Sequence, residues 1–526
     1  MSADTRIRPL SGNELAQETS VERKTFRDWV GRNAVELAIV FAVVLFLGYV
    51  HATGMSAYPA RFDDEGAYMS QAWAVLTRFD LAHYTYWYDH PPLGWILIAI
   101  YSLFTGALER ASFGVAAGRE AMLLFHLAST ALLFVLARRL GMKILFAVLV
   151  VLIFGLSPLG IFYHRMVLLD NVALPLLLAS FVLLLSPRKR LSAHVAAALC
   201  FALAVLVRET FLLFLPAAIY LYRKRTDPRT RRYSLALTVT TFLGMLSLYP
   251  LFALLRGELV PSEDRVSLFE SIGWQLFGRE GSGSVFDRSS PAAHVVAGWV
   301  QLDPWILVLG LIAVVVTLVI PRFRWIGITG VLLALMLTRP GYLPVMYVVS
   351  AIPFLALAVG GVLDEGWKHA SATDRVATTG LMVWVRRVVM AGAVVALIGG
   401  MWIAYRPGVA NAMSADADAQ FRGAQAWLEE NLEPDDIVLL DSALWLDVVR
   451  QGHPPENTVW YYKLDTDPAV ELPGDWRAVD YVVTTEVIRT TTYELPNVEA
   501  VIENSEVVAV FGEGPGQVEI KALRAP

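Results

Sequence analysis

The sequence predicts a polytopic α-helical membrane protein of about eleven spans, followed by a small α/β domain outside the membrane. Of its 526 residues, 56% are hydrophobic and only 17% are charged, a composition typical of helices surrounded by lipid. Basic residues recur between the apolar runs. After residue 405, short β-rich runs replace the long apolar ones. These three features together define the fold class.

Total charge and cysteine content exclude several other classes. The formal net charge is only -5, so neither nucleic acid nor an acidic polymer is an expected partner. Cys200 is the single cysteine, which rules out an intrachain disulfide framework.

The first element is a polar segment, 1–34, that precedes an apolar run at 35–49. Basic residues are concentrated before this run, so the N-terminus is predicted to be cytoplasmic and the run to be an uncleaved first span. The protein is therefore expected in the plasma membrane, in contact with the lipid bilayer.

The next apolar run, 93–103, is shorter than the roughly 20 residues that a spanning helix needs. If it crossed the membrane, the basic residues Arg138, Arg139 and Lys143 would face outward, together with every later basic cluster. We therefore interpret 93–107 as an interfacial helix on the outer side, with Pro91 and Pro92 fixing its start.

The remaining apolar runs follow in alternating directions and complete a membrane module at 35–405. They are predicted as spans at 121–137, 144–162, 172–185, 195–207, 211–222, 235–255, 305–320, 326–337, 343–362 and 388–405. This topology leaves two large external loops, 54–118 and 256–303. An odd number of spans places the C-terminal part outside the cell.

Residues 406–526 are predicted to form an extracytoplasmic α/β domain. A helix is expected at 420–431. Strands are expected at 437–441, 458–462, 481–485, 507–511 and 518–522, because short runs rich in β-branched and aromatic residues are bounded there by turn residues.

Three consecutive acids, Asp63, Asp64 and Glu65, open a helical pattern in the first external loop. Acids at such a position can simply cap the helix and interact with its dipole. They can also do chemistry, because ionisable groups near lipid are costly and are usually kept for a function. Tyr68 lies on the same predicted helix.

A second acid, Asp170, ends the sequence HRMVLLD at the outer tip of another span. Capping of the span that follows is the simpler interpretation of this residue. Two external acids can instead share catalytic roles or bind a divalent metal. Asp89-His90 adds a histidine that could carry a proton or complete a metal site with Asp64 and Asp170.

Several arginines fall near the outer ends of spans, namely Arg165, Arg208, Arg256 and Arg339. Such side chains commonly extend toward lipid headgroups. Grouped around external carboxylates, they could instead hold a lipid phosphate, for which the guanidinium is geometrically suited.

These motifs resemble those of the GT-C superfamily of membrane glycosyltransferases, in the branch of lipid A aminoarabinose transferase and the protein O-mannosyltransferases. The similarity rests on the acids and tyrosine at 64–68, on Tyr88-Asp89-His90-Pro91-Pro92 before Gly94-Trp95, on Leu168-Leu169-Asp170 and on Arg208. It extends over 35–222 and weakens beyond. His90 stands where the aminoarabinose branch has lysine.

The resemblance implies an inverting glycosyltransferase that uses a polyprenyl-phosphate sugar at the outer membrane face. Asp64 and Asp170 would be its catalytic residues, with Asp64 as the general base. Substrate would be bound by Glu65, Tyr68, Asp89, His90, Arg165, Arg208 and Arg339. The acceptor could be a protein, a lipid or a glycan.

Two other classes remain open on the sequence. A transporter or flippase could use the same acids to bind a solute or a coupling ion, although such sites usually lie at mid-membrane. A sensor or assembly subunit would explain the C-terminal domain but would leave the acidic loop without a role.

Overall fold

A computed structural model of the chain describes residues 12–187, 190–262, 266–339, 341–372, 380–470, 472, 475–491 and 495–524. Residues 1–11 of the predicted cytoplasmic segment 1–34 lie outside that description, as do residues 263–265 of the predicted external loop 256–303.

Helices dominate the first four-fifths of the chain. They are α1 (Gly12–Ala52), α2 (Asp63–Thr77), α3 (Leu93–Thr105), α4 (Ala107–Arg110), α5 (Gly114–Arg139), α6 (Ile144–Leu156), α7 (Pro158–Arg165), α8 (Leu169–Leu184), α9 (Leu191–Val207), α10 (Leu215–Arg225), α11 (Arg231–Leu246), α12 (Leu248–Leu255), α13 (Leu268–Gly273), α14 (Pro291–Leu302), α15 (Pro304–Thr317), α16 (Arg324–Met336), α17 (Ile352–Ser371) and α18 (Gly380–Ser414). The predicted class of helical membrane protein is confirmed.

By length and composition, five helices in the described part of the chain can cross a membrane, and up to seven if each of two bent helix pairs counts as one span. Four further apolar helices are shorter, α3, α8, α9 and α16. The count of eleven spans stays a prediction. The predicted boundary at 405/406 falls inside α18, which continues to Ser414.

The region predicted as one span at 144–162 forms a bent pair of helices. Helices α6 and α7 meet at an angle of 62°. Ser157 lies at the break, where its hydroxyl accepts a bond from the Gly160 N–H and caps α7, and Pro158 follows in the first turn. Proline fits the start of a helix because it has no N–H to donate. The predicted span at 144–162 therefore corresponds to two helices with a break at Ser157.

Helix α3 confirms the predicted helix after Pro91-Pro92. It has 13 residues, begins after Pro92 and ends at Gly106, whose φ of 62° suits glycine. Gly94 packs so tightly on Leu169 of α8 that an added Cβ would overlap that side chain. This contact fixes the external loop against the helix that carries Asp170.

The C-terminal part forms one five-stranded sheet. Its strands are β1 (Val438–Leu440), β2 (Thr458–Trp460), β3 (Tyr481–Thr484), β4 (Ser505–Phe511) and β5 (Val518–Leu523). They are ordered β2-β1-β3-β5-β4, with β1 parallel to β2 and β3, and with β5 antiparallel to β3 and β4. All five predicted strands are confirmed.

Five helices flank this sheet: α19 (Ala419–Asn431), α20 (Ser442–Arg450), α21 (Lys463–Thr466), α22 (Glu486–Thr491) and α23 (Pro496–Glu503). We call residues 419–524 the C-terminal domain. Helix α19 confirms the helix predicted at 420–431. Parallel strands linked by helices explain why helix and strand signals alternate in this part of the sequence.

The C-terminal domain rests on the first external loop. Arg61 pairs with Asp418 at 3.1 Å and with Asp447 at 2.5 Å, and all three side chains are excluded from solvent. Helix α2 packs against α20 so closely that a Cβ on Gly66 would overlap the Ser442 backbone. The domain therefore forms a wall beside α2 and its acids.

Candidate functional site

The three acids at the start of α2 lie in three different environments. Successive side chains on a helix point about 100° apart, so the three acids face different parts of the protein. Asp63 accepts a hydrogen bond from the Ser442 hydroxyl of the C-terminal domain. Glu65 points into the protein interior. Only Asp64, between them, lines an open cavity.

Glu65 has a structural set of contacts. Its carboxylate is fully buried and pairs with Arg119 of α5 at 2.7 Å. It also accepts the Val167 N–H at 2.8 Å and the Phe62 N–H at 3.1 Å. With both oxygens bound in this way, Glu65 ties α2 to α5 and to the segment before Asp170. Glu65 was predicted to bind substrate, but its contacts in the structure are all with the protein itself.

Arg208 lies at the centre of a charged cluster that also contains His90, Asp170 and Glu209. Its Nε is 3.5 Å from an oxygen of Asp170. Its Nη1 is 2.5 Å from Nε2 of His90, and the other ring nitrogen of His90 is 3.2 Å from Glu209. Arg208 and Asp170 are each about 5% exposed. The cluster fixes a guanidinium at the C-terminal end of α9.

The hydrogen bonds within the charged cluster define the orientation of His90. A guanidinium can only donate, so Nε2 of His90 accepts from Arg208. The Nδ1 proton then points at Glu209. The ring therefore lies between an arginine and a carboxylate.

Asp64 and Asp170 converge on the charged cluster, although they are far apart in the chain. Both carboxyls interact electrostatically with Arg208, and both act on Tyr68. Burial raises the pKa of Asp64 above its usual value, and the positive charge of Arg208 opposes that shift. A carboxylate of raised pKa is a stronger base than an exposed one.

The second external loop contributes Arg279, which sequence reasoning missed. Its guanidinium lies 3.4 Å from the centre of the Tyr342 ring and 5.6 Å from that of Trp274. The charge of Arg279 also lowers the pKa of Asp64. No local motif identifies this arginine, because it reaches the site from a loop without regular pattern.

Asp64 opens into a cavity of about 220 Å³, which we call the aromatic cavity. Its walls come from the first external loop, the second external loop and the C-terminal domain. The lining residues are Asp64, Ala67, Tyr68, Gln71, Ala82, Tyr84, Thr85, Tyr86, Trp87, Asp89, His90, Trp95, Trp274, Gln275, Arg279, Trp460, Tyr462 and Lys463. Three predicted site residues besides Asp64 therefore share it: Tyr68, Asp89 and His90.

Two predicted arginines lie elsewhere. Arg165 is 2% exposed and donates to the backbone carbonyls of Val50, Thr53, Tyr58 and Ala412. It therefore fastens α7 to α1 and α18. Arg339 is exposed after the end of α16 and does not line the aromatic cavity.

The predicted metal ligands do not fit a divalent cation. Asp170 and His90 both contact Arg208, so a guanidinium already holds the positive charge between them. Within the described ranges, no group of three or more His, Cys, Asp or Glu residues could hold a metal ion. Arg208 is therefore the cation that adjoins both Asp170 and His90.

Comparison with solved structures identifies the fold. The chain is similar to ArnT from Cupriavidus metallidurans bound to undecaprenyl phosphate, with a TM-score of 0.55 and 17% identity over 92% of this chain and 97% of that one. The apo state of the same protein gives a TM-score of 0.55 and 16% identity, over 93% and 98%.

A third similar structure is the archaeal oligosaccharyltransferase AglB from Archaeoglobus fulgidus in complex with an inhibitory peptide and a dolichol-phosphate. Its TM-score is 0.52 at 11% identity, over 89% of this chain and 72% of that one. No family model matches this chain, and no curated protein is significantly similar in sequence. At the level of the fold, the predicted GT-C architecture is confirmed.

Proposed function

We propose that the protein transfers a sugar from a polyprenyl-phosphate donor to a hydroxyl acceptor, with inversion at the anomeric carbon. The observation that carries this proposal is the convergence of Asp64, Asp170 and Arg208 beside the aromatic cavity. The fold shared with two proteins whose structures contain undecaprenyl phosphate or dolichol-phosphate supports a lipid-phosphate donor.

Asp64 is the general base in this proposal. It takes the proton of the acceptor hydroxyl as the hydroxyl oxygen attacks the anomeric carbon of the sugar. The bond from that carbon to the phosphate oxygen breaks, and the phosphate leaves with the electron pair. Base and leaving group must lie on opposite faces of the sugar, so the configuration inverts.

Arg208 stabilises the charge that develops on the departing phosphate. Fixed positive groups lower a barrier most when they need not reorganise during the reaction. Asp170 and His90 hold the guanidinium on two sides, and Glu209 orients His90. Asp170 thus acts as a positioning residue for Arg208. A phosphate is a good leaving group, so no general acid is required.

The reaction is proposed to occur at the outer face of the plasma membrane. The basic residues of the sequence favour a cytoplasmic N-terminus, which places the loop with Asp64 outside. Under this topology the sugar must reach the site from the outer leaflet, and the C-terminal domain covers it from the extracytoplasmic side.

A labelled donor tests this function and separates it from transport. Purified full-length protein would be reconstituted with decaprenyl phosphates carrying tritiated mannose, arabinose or glucose, together with an envelope extract as acceptor. A transferase releases free decaprenyl phosphate in step with label appearing in the acceptor. Movement of the intact glycolipid between leaflets, or no consumption of any donor, contradicts the proposal.

Asp64→Asn gives the matched test of the base. The release of decaprenyl phosphate should fall by about 10²- to 10⁴-fold, the usual contribution of a general base. Asp63→Asn is the control, because burial and the nearby Asp441 already raise the pKa of Asp63 well above its usual value and favour its neutral form. Equal losses in the two variants would remove Asp64 from the base role.

A further inference from the structure

Three tryptophans of the aromatic cavity have indole N–H groups without a partner. Among the residues that the structure describes, Nε1 of Trp87, Trp95 and Trp460 finds no hydrogen-bond acceptor. Trp95 is 1% exposed and Trp460 is 4% exposed. Buried N–H groups normally have partners, because leaving one unpaired is costly. All three tryptophans line the aromatic cavity.

The same cavity also offers an unused acceptor. Oε1 of Gln71 is buried and accepts no hydrogen bond from the described part of the chain. Gln71 lies on α2, seven positions after Asp64, so both residues face the same side of that helix. A ligand that pairs with these side chains would donate as well as accept hydrogen bonds.

Lys463 supplies a buried cation from the C-terminal domain. Its ammonium is 3.0 Å from Asp467 and 4.5 Å from the centre of the Trp87 ring. Burial lowers its pKa, and Asp467 opposes this shift. A lysine held between a carboxylate and an aromatic face keeps donors available in a fixed direction.

We propose that the aromatic cavity is a binding site for a sugar ring, completed by Trp460 and Lys463 of the C-terminal domain. A sugar presents hydroxyls that both accept and donate, which match the three indole N–H groups and Gln71. Its C–H face is apolar and packs on aromatic rings. A lipid chain has no hydrogen-bonding groups, so it could not pair with these side chains.

This inference rests on the proposed function and adds which residues recognise the sugar. The ring could belong to the donor or to a glycan acceptor, because both present the same hydroxyls. In either case the membrane helices alone do not form the site. The C-terminal domain therefore contributes to substrate specificity and does not act only as a cover.

Binding of a simple glycoside tests the site without any turnover. Full-length protein in detergent would be probed with methyl α-mannopyranoside and methyl α-arabinofuranoside by saturation-transfer NMR. Trp460→Phe keeps an aromatic face and removes the N–H, so the Kd should rise by about three- to tenfold. Lys463→Met should weaken binding by a similar factor. Trp476→Phe, in the same domain but not lining the cavity, should leave the Kd unchanged.

Kinetics then identify the source of the sugar. If the ring is the donor's, Trp460→Phe raises KM for the decaprenyl-phosphate sugar, including in donor hydrolysis without acceptor. If it is the acceptor's, donor hydrolysis is unchanged and only the KM for acceptor rises.

The inference is overturned if Trp460→Phe and Lys463→Met match Trp476→Phe in both measurements, or if an acetylated serine amide displaces the glycosides. If these variants bind glycosides normally while the wild type still consumes the donor, the inference fails and the proposed function stands. Conversely, glycoside binding without any donor consumption would contradict the proposed function alone.

Discussion

The charged cluster and the aromatic cavity adjoin each other but satisfy their polar groups differently. In the charged cluster, Arg208 has an ion pair with Asp170 and a hydrogen bond with His90 before any substrate arrives. In the aromatic cavity, three indole N–H groups have no protein partner among the described residues. In the proposed reaction, the charged cluster stabilises a developing charge and the aromatic cavity binds the hydroxyls of a sugar.

Because of this difference, the charged cluster and the aromatic cavity should affect different kinetic parameters. Preorganised charge acts on the transition state and so affects kcat. Hydrogen bonds to the ground-state substrate act equally before and during reaction, so they affect KM. Substitutions in the two halves should therefore give different kinetic signatures.

The largest expected effect in the charged cluster is that of Arg208→Met. Turnover should fall by about 10²- to 10³-fold, because the departing phosphate loses its fixed cation. Most of the loss should appear in kcat. Arg208→Lys should recover only part of it, since an ammonium cannot reproduce the planar guanidinium contacts with Asp170 and His90.

Arg256→Met is the matched control for Arg208. Arg256 also follows the C-terminal end of a helix, but its side chain is 38% exposed and pairs with Asp80 and Glu258. Its loss should leave turnover within about twofold of the wild type, as expected for a surface ion pair. A comparable fall in both variants would mean that general surface charge, and not the charged cluster, supports the reaction.

Substitution of Arg279 should have a smaller effect, which appears in the pH dependence of kcat/KM. Asp64 works as a base only when ionised, so activity declines as pH falls through its pKa, which burial places above the usual 3.8. Arg279 lowers that pKa. Arg279→Gln should therefore move the acidic limb of kcat/KM to higher pH.

Arg279→Lys separates charge from packing in this experiment. It keeps the positive charge near Asp64 and removes the stacking of the guanidinium on Tyr342. The acidic limb should then stay near its wild-type position even if KM changes. A limb that moves equally in both variants would show that the shift comes from altered packing.

Local sequence signals predicted the charged cluster better than the aromatic cavity. Asp64, His90, Asp170 and Arg208 each lie at or near a helix end, where ionisable residues stand out beside long apolar runs. Each strand of the C-terminal sheet was also predictable, because its β-branched and aromatic residues form a short bounded run.

The remaining site residues depend on contacts between distant segments. Trp460 and Lys463 occur in a strand and a short helix that look like ordinary parts of a small α/β domain, and they reach the site only because Arg61 and Gly66 hold that domain against α2. Arg165 and Glu65 illustrate the opposite case. They lie near the predicted motifs, yet they are bound within the protein interior.

The anomeric configuration of the first product tests the central claim most directly. The claim is that Asp64 activates an acceptor hydroxyl for a single displacement of the phosphate bound near Arg208. Nuclear magnetic resonance of the product made from a decaprenyl-phosphate sugar of known configuration should show inversion. Retention of configuration would contradict the account, because it requires an intermediate formed on the enzyme and a different role for Asp64.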